Sequence, residues 1–148
     1  MSIAAFSPGV RARRGDRPVA YAQSHQNDPL GAAVAREVVR IIRDGDLIAR
    51  ARDVGDRLES ALRAIAARTA RIREVRSRGL MLAIELDDDP PFTLTTRVHR
   101  ALVDRGFVVG RRPGVPVLRL DPSLTIERVD VEAFLEAFES VLAATPSG

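Results

Sequence analysis

Arginine dominates the chemistry that this sequence offers. All 23 basic residues are arginine, and lysine does not occur among the 148 residues. A guanidinium stays protonated and can hold a carboxylate or phosphate by two parallel hydrogen bonds, but it has no free amine lone pair. The chain can therefore bind anions, whereas a reaction that begins with a Schiff base on lysine needs a lysine from outside these residues.

Two positions are compatible with the binding of an anion, although the residues alone do not assign that role to them. Arg119 is flanked by Leu118 and Leu120, so on a strand its side chain faces away from theirs, toward a cleft or toward solvent. Ser24 precedes a helix start at Asp28, and a hydroxyl and backbone amides near that end of a helix favour an anion. The residues alone leave two alternatives open: Arg119 as a surface arginine on an edge strand, and Ser24 as an ordinary loop serine.

The sequence offers little to a metal ion. It has no cysteine and only two histidines, which excludes disulfides and thiolate metal sites. The acidic run Asp87 to Asp89 stands before Pro90 and is typical of a solvated loop. His99 lies within a predicted helix between arginines, where we expect a solvated side chain. We therefore predict no metal site.

Composition places the chain among ordinary globular proteins. It has a mass of 16.1 kDa, 45% hydrophobic and 29% charged residues, which fits one domain with a real core. The pI of about 10.7 suggests nucleic acid as a partner, but 20 acids reduce the net charge to +3. No apolar run approaches the roughly 20 residues of a membrane helix. The arginines of residues 1–18 follow a short apolar stretch, the wrong order for a secretory signal, so we expect a cytoplasmic protein.

Two amphipathic helices are predicted in the first half of the chain. Residues 1–20 have no sustained period and are expected to be a poorly ordered lead-in. Asp28 can cap a helix that begins at Pro29 and ends at Gly45, and Asp46 can open a second, longer helix. Their apolar stripes are Leu30, Val34, Val38, Ile41 and Ile42, then Leu47, Ala51, Val54, Leu58, Ala61, Leu62 and Ile65. On the second helix, ion pairs four residues apart are expected for Asp46–Arg50, Asp53–Arg57 and Glu59–Arg63.

The second half alternates between strand and helix patterns. Strands are predicted around Ile72 and Val75 and over Leu80–Leu86, with a turn near Gly79, and again at Phe107–Val109 and Val117–Leu120. A third helix spans Leu94 to Leu102 and stops at Gly106. A closing amphipathic helix is defined by Phe134, Leu135, Phe138, Val141 and Leu142. This order predicts an α+β fold in which helices pack on a small, mainly antiparallel sheet.

Three segments carry a resemblance to a known family. They are QSHQNDPLGAAVAREVVRII at 23–42, RSRGLMLAIEL at 76–86 and VLRLDPSLTIERVDVEAFLEAF at 117–138. In this order and spacing they resemble the carboxyl-terminal part of class III aminotransferases, the ornithine, acetylornithine and 4-aminobutyrate type, and the resemblance covers residues from about 20 to 143. It implies the carboxyl-terminal small domain of fold type I enzymes over residues 21–148, preceded by its long helices, and pyridoxal phosphate as cofactor.

The resemblance also implies roles for individual residues. Ser24 stands where relatives place a threonine that contacts the cofactor phosphate of the neighbouring subunit, and His25 stands where they often have an aromatic. Arg119 matches the arginine that holds the substrate carboxylate, while Arg78 and Gly79 match a turn between strands. Ser77 replaces a common glycine, which puts a left-handed backbone there in doubt. The catalytic lysine of the family falls outside these residues.

These observations predict a fragment of an aminotransferase that moves an amino group from a donor to a 2-oxo acid and is inactive alone. One alternative is the interaction half of a split enzyme, completed by a separately encoded large domain. The partner would be such a large domain or a second copy of the chain. Another alternative is a basic module for nucleic acid, which is disfavoured because the chain has only Tyr21 and five Phe for stacking.

Overall fold

The computed structural model describes Gly9 and residues 28–146. The chain divides into two compact units, residues 1–45 and residues 46–148. The first unit contains helix α1, Pro29–Asp44. The Asp28 carboxylate accepts a hydrogen bond from the Leu30 amide at 3.0 Å, and the Gly45 amide donates to the Ile41 carbonyl at 2.9 Å. Both predicted ends of this helix are confirmed. No residue of α1 is buried.

The second unit contains three helices and four strands. In chain order these are α2 (Leu47–Ala66), β1 (Ile72–Arg78), β2 (Met81–Leu86), α3 (Thr93–Asp104), β3 (Gly110–Arg111), β4 (Val117–Leu120) and α4 (Arg128–Ala144). The strands form one antiparallel sheet in the order β1-β2-β4-β3. The predicted α+β fold, with helices on a small antiparallel sheet, is confirmed. No helix within residues 28–146 combines the length and apolarity that crossing a bilayer requires.

The two faces of the sheet differ in burial. The inner face carries the cross-strand neighbours Val75, Ile84 and Leu118, with Leu82 opposite Leu120, and all five are buried. Helix α2 packs on β1, α3 packs on β4, and α4 packs against both helices. Phe134 and Phe138 of α4 stack at 5.9 Å between ring centroids within the hydrophobic core. The core therefore lies between the inner face and the three helices, and the outer face is left for polar side chains.

Two glycines fix the approach of α2 to the sheet. Gly55 is buried, and a Cβ built on it would lie 2.7 Å from the carbonyl oxygen of Gly79. Gly79 lies in the β1–β2 turn with a φ of +60°, so the predicted turn is confirmed at this residue. Ser77 is an ordinary strand residue opposite Leu82 and has no positive φ. The backbone at Ser77 is therefore not left-handed, as the replacement of glycine by serine led us to expect.

The prediction of a strand at Phe107–Val109 is wrong. The Phe107 amide donates to the Leu102 carbonyl at 3.0 Å, and Gly106 has a φ of +89°, so this segment begins as the terminating turn of α3. Val108 is almost fully exposed whereas Val109 belongs to the core. Pairing with β4 starts only at Gly110, one residue after the predicted segment.

Only one of the three predicted ion pairs within α2 forms, Glu59–Arg63 at 2.6 Å. Arg50 instead donates to the Ile126 carbonyl at 2.8 Å and contacts Glu127 at 3.0 Å. Arg57 binds both carboxylate oxygens of Glu132, at 2.9 and 2.8 Å. The expected purely local pairing is therefore wrong for these two arginines, because the start of α4 lies within their reach.

Candidate anion site on the outer face

Arg119 lies on β4 with its side chain on the outer face of the sheet. Its neighbours across the strands are Ala83 on β2 and Gly110 on β3, the two smallest residue types. A Cβ at Gly110 would lie 3.2 Å from the Arg119 carbonyl oxygen and 3.4 Å from the Arg119 Cβ. The Arg119 side chain is 62% exposed. Small neighbours on both sides thus leave the guanidinium exposed to solvent.

The Arg119 guanidinium already holds a carboxylate from its own chain. Its Nε lies 2.7 Å from Asp121 Oδ2, and its Nη2 donates to Asp121 Oδ1 at 3.0 Å. This is the two-bond geometry in which arginine recognises carboxylates. The sequence argument missed Asp121 as a partner. A signal was present, because Asp121 follows Arg119 by two residues, the spacing at which side chains of an extended chain point to the same side.

A cleft lies beside this pair, within the second unit. It has a volume of about 340 Å³ and is formed by residues 106–109, residues 120–122 and the neighbouring parts of α2 and α4. Its walls are mainly apolar, and its carboxylates are Asp121 and Asp130. Asp121 therefore stands at the junction between the cleft and the guanidinium of Arg119.

Several other charged side chains of the outer face form ion pairs with each other. Arg76 binds Glu85 at 2.8 Å and also Glu74, and these hydrogen bonds raise the pKa of Arg76. Arg73 binds Asp87 at 2.7 Å, and that hydrogen bond raises the pKa of Arg73. These basic groups are already neutralised by neighbouring carboxylates. The outer face around Arg119 therefore differs from the unpaired basic surface that nucleic-acid phosphates require.

Side chains of the acidic run Asp87–Asp89 bind residues of β1 and α3. Asp88 accepts hydrogen bonds from the Thr95 amide at 2.7 Å and the Thr95 hydroxyl at 2.8 Å, so it caps the first turn of α3. Sequence reasoning missed this cap because Asp88 precedes the helix by several residues. Residues 28–146 contain no cluster of three or more histidine or acidic side chains suited to a metal ion.

His99 is not the solvated side chain that was expected. It is half-buried on α3, and its Nε2 lies 3.0 Å from the Val109 carbonyl oxygen. The contact ties α3 to the segment that leads into β3. His99 thus has a structural partner within the fold.

Ser24 and His25 lie outside the described residues, so their predicted positions near a cofactor phosphate stay predictions. Of the two residues predicted to meet an anion, only Arg119 therefore lies among the described residues. Since no lysine is present in the 148 residues, they do not supply the covalent anchor for pyridoxal phosphate. No catalytic step through that cofactor follows from these residues.

The fold and the three sequence segments indicate a member of the aminotransferases, and a comparison with known protein families gives the same result. The family Aminotransferase class-III matches residues 8–142. The chain belongs to the class III aminotransferase family, as its three sequence segments predicted. The prediction of pyridoxal phosphate as cofactor is confirmed for the family to which the chain belongs.

Individual relatives show how much of the family this chain represents. An ornithine aminotransferase of Bordetella pertussis is 34% identical over 134 residues, which are 89% of this chain and 31% of the relative. A 4-aminobutyrate aminotransferase of Escherichia coli is 32% identical over 119 residues, 76% of this chain and 28% of the relative. The chain thus spans about a third of the length of these relatives.

Solved structures give the same result for the fold. An amine transaminase from an uncultivated Pseudomonas species, in its pyridoxal-phosphate-bound form, superposes with a TM-score of 0.80 at 26% identity. The alignment covers 95% of this chain and 34% of that one. The predicted fold type I relationship is confirmed.

Proposed function

We propose that this chain is the carboxyl-terminal part of a pyridoxal-phosphate-dependent aminotransferase that moves an amino group from an amino donor to a 2-oxo acid. The observation that carries the proposal is the class III family match over residues 8–142. In this proposal residues 21–148 form the small domain with its preceding helices, and the protein is cytoplasmic. The location is supported by the sequence argument alone.

Two residues carry the assigned contacts. Arg119 would hold the substrate carboxylate. Its two hydrogen bonds to the Asp121 carboxylate support this role, because a substrate carboxylate would be bound with the same geometry. Ser24 would contact the cofactor phosphate, supported by its position in the family motif. The lysine would come from a large domain. Pyridoxal phosphate supplies the electron sink for amino transfer when it is bound.

The first experiment tests the chain alone. Purified protein is mixed with pyridoxal phosphate and an amino donor, and we expect neither an aldimine absorbance band nor turnover, because no lysine amine is available. Borohydride reduction and peptide mass spectrometry then show where any cofactor is fixed. Cofactor on the amino-terminal amine is adventitious, whereas cofactor fixed on an internal side chain would contradict the proposal.

The second experiment asks whether a large domain completes the protein. The apolar stripe of α1, with Leu30, Val34, Val38 and Ile41 all exposed, supports the variant of the proposal in which this chain is the interaction half of a split enzyme. Co-expression with a lysine-bearing large domain should restore transamination. Size-exclusion chromatography of the chain alone tests the other possible partner, a second copy. If no large domain gives turnover, the split-enzyme variant fails.

Arg119 is tested in the reconstituted enzyme. Arg119→Gln should raise the KM for the carboxylate substrate about ten- to a hundredfold, the range for a lost charged hydrogen bond. Arg111→Gln is the matched control, since Arg111 is an exposed arginine on the adjacent strand β3. Equal effects of the two substitutions would remove Arg119 from the substrate site.

The nucleic-acid alternative has less support, because many of the described arginines are held by carboxylates of the same chain, among them Arg57, Arg73 and Arg76. A gel shift that weakens steeply with salt would favour it. We expect no shift at physiological salt.

A further inference from the structure

We propose that the corner between α3 and β3 is a docking surface for an acidic peptide segment of a partner protein. This surface, the basic corner, consists of Arg97, Arg100, Val103, Val108, Arg111 and Arg112. Docking there requires neither Arg119 nor amino transfer, so it is separate from the proposed function.

The segment that forms the basic corner has a large excess of positive charge. Residues 90–120 contain six arginines and one acidic residue, whereas residues 121–148 contain one arginine and six acidic residues. Of the six arginines, Arg119 holds a carboxylate and Arg105 holds a backbone carbonyl. The others are exposed and make no hydrogen bond or ion pair with any residue that the structure describes; they are Arg97, Arg100, Arg111 and Arg112.

One contact brings the two elements of the corner together. His99 on α3 places its Nε2 3.0 Å from the Val109 carbonyl oxygen. Arg100 directly follows His99, and Val108 and Arg111 lie one residue before and two residues after Val109. Arginines of α3 and β3 therefore meet at one corner of the fold, where no carboxylate within residues 28–146 neutralises them.

The register of the sheet separates this corner from the outer face. Arg111 pairs across the strands with Leu118, which is buried on the inner face. Cross-strand partners point to the same face, so the Arg111 side chain leaves the sheet on the side of α3 and not beside Arg119. It is exposed there because β3 lies at the edge of the sheet.

Two further features favour a peptide over nucleic acid. Val108 is 97% exposed and Val103 is 43% exposed, so the arginines lie beside apolar side chains against which a hydrophobic residue of a partner can be buried. Within the described part of the chain, β3 pairs only with β4, and the backbone of such an edge strand can pair with an extended peptide. The corner has no aromatic side chain on which a base could stack. A segment that combines acidic and apolar residues therefore fits it best.

The test is a fluorescence anisotropy titration of the full chain with a labelled peptide of alternating glutamate and leucine. Binding should weaken at high salt and should be absent for a control peptide with glutamine in place of glutamate. Arg100→Gln combined with Arg111→Gln should weaken binding about five- to tenfold, within the range for two exposed ion pairs. Val108→Ser should weaken it about threefold, because an apolar contact is lost.

The matched control is Arg52→Gln combined with Arg78→Gln. These arginines of α2 and β1 are likewise exposed and unpaired among the described residues, so the control removes the same charge elsewhere. Equal weakening in the two double variants, or no binding of the glutamate peptide, overturns the docking surface. Unchanged affinity in Val108→Ser overturns the apolar contact.

Nucleic acid is the competing occupant. A single-stranded DNA oligonucleotide with the same charge as the peptide should bind more weakly than the peptide. Tighter binding of the oligonucleotide that is lost in the Arg100 and Arg111 double variant would overturn the peptide as occupant. None of these measurements involves Arg119, so failure here leaves the aminotransferase proposal intact.

Discussion

Helices α1 and α2 carry the same spacing of apolar residues but lie in opposite surroundings. On α1 the stripe is exposed, with Leu30 at 72% accessibility, whereas on α2 Leu58, Leu62 and Ile65 are buried and Leu62 is 0% exposed. The period of a sequence therefore determines that a helix forms and which residues share a face. It does not determine whether the described residues of the same chain cover that face.

The charged residues of the two helices differ in the same way. On α1, Arg40 binds Glu37 at 2.6 Å and Asp44 at 3.5 Å, both within the helix. On α2, Arg50 and Arg57 reach the start of α4, about 75 residues further along the chain. A helix packed into a core thus uses its arginines to hold another element, whereas α1 uses them to support itself.

The largest effect that would test this contrast is a matched pair of leucine truncations. Leu62→Ala should lower the free energy of unfolding by about 2–5 kcal/mol, because it leaves a cavity in the core. Leu30→Ala, the same chemical change on an exposed face, should change it by less than about 0.5 kcal/mol. Urea unfolding followed by circular dichroism measures both. Comparable losses would mean that the stripe of α1 is covered in solution.

Substitution of one glycine on each helix tests the same difference between the packed helix α2 and the exposed helix α1. Gly55→Ala should destabilise by about 1–3 kcal/mol, since the new methyl group would lie 2.7 Å from the Gly79 carbonyl oxygen and force α2 from the sheet. Gly31→Ala on α1 meets only Asp28 side-chain atoms at 3.9 Å and should stabilise that helix by about 0.5 kcal/mol. Thermal unfolding monitors the first change, and amide exchange in α1 monitors the second. A neutral Gly55→Ala would show that α2 does not approach the turn so closely.

The two aspartates that precede these helices provide the next test. Asp28 caps α1 through its side chain, so Asp28→Ala should cost α1 about 1 kcal/mol and speed its amide exchange roughly fivefold. Asp46 has a φ of 53° and makes no side-chain cap bond. Asp46→Gly should therefore be neutral or stabilise by up to about 1 kcal/mol, because glycine adopts this conformation without strain. A clear loss of stability in Asp46→Gly would mean that the Asp46 side chain stabilises the start of α2.

Local sequence signals were sufficient for much of the fold. Asp28, Pro29 and Gly45 fixed the ends of α1, since caps depend on neighbouring residues alone. The strand prediction at Phe107–Val109 was wrong because this segment begins with the turn that terminates α3. Val109 is apolar because its side chain is buried in the core, and not because the segment pairs in the sheet. Apolar runs of three residues do not separate these two cases.

The candidate site was predictable to a smaller extent. The alternation of Leu118, Arg119 and Leu120 predicted correctly that Arg119 leaves the core side of its strand. Asp121 as its partner followed from i, i+2 spacing but was missed, and the partners of Arg50 and Arg57 could not be foreseen. Those partners depend on how α4 packs against α2, which no spacing within α2 encodes.

The smallest expected effect concerns pH and distinguishes cross-element from local pairing. The hydrogen bond from Arg57 lowers the pKa of Glu132, so the folded state favours the ionised carboxylate. Its contribution to stability is present above the unfolded pKa of about 4.3 and disappears as the pH falls through the folded pKa. Arg57 stays charged throughout, because the same pair raises the pKa of Arg57.

Arg57→Gln should therefore lower the urea midpoint at pH 7, and its difference from the unmodified protein should shrink as the pH falls below about 4.3. Arg40→Gln is the matched control, since the hydrogen bond from Arg40 lowers the pKa of Glu37 entirely within α1. It should speed amide exchange in α1 and leave the midpoint of residues 46–148 unchanged. A pH-independent difference for Arg57→Gln would mean that Arg57 stabilises α4 by packing of its aliphatic stem and not by its charge, because only the ion pair depends on the ionisation of Glu132.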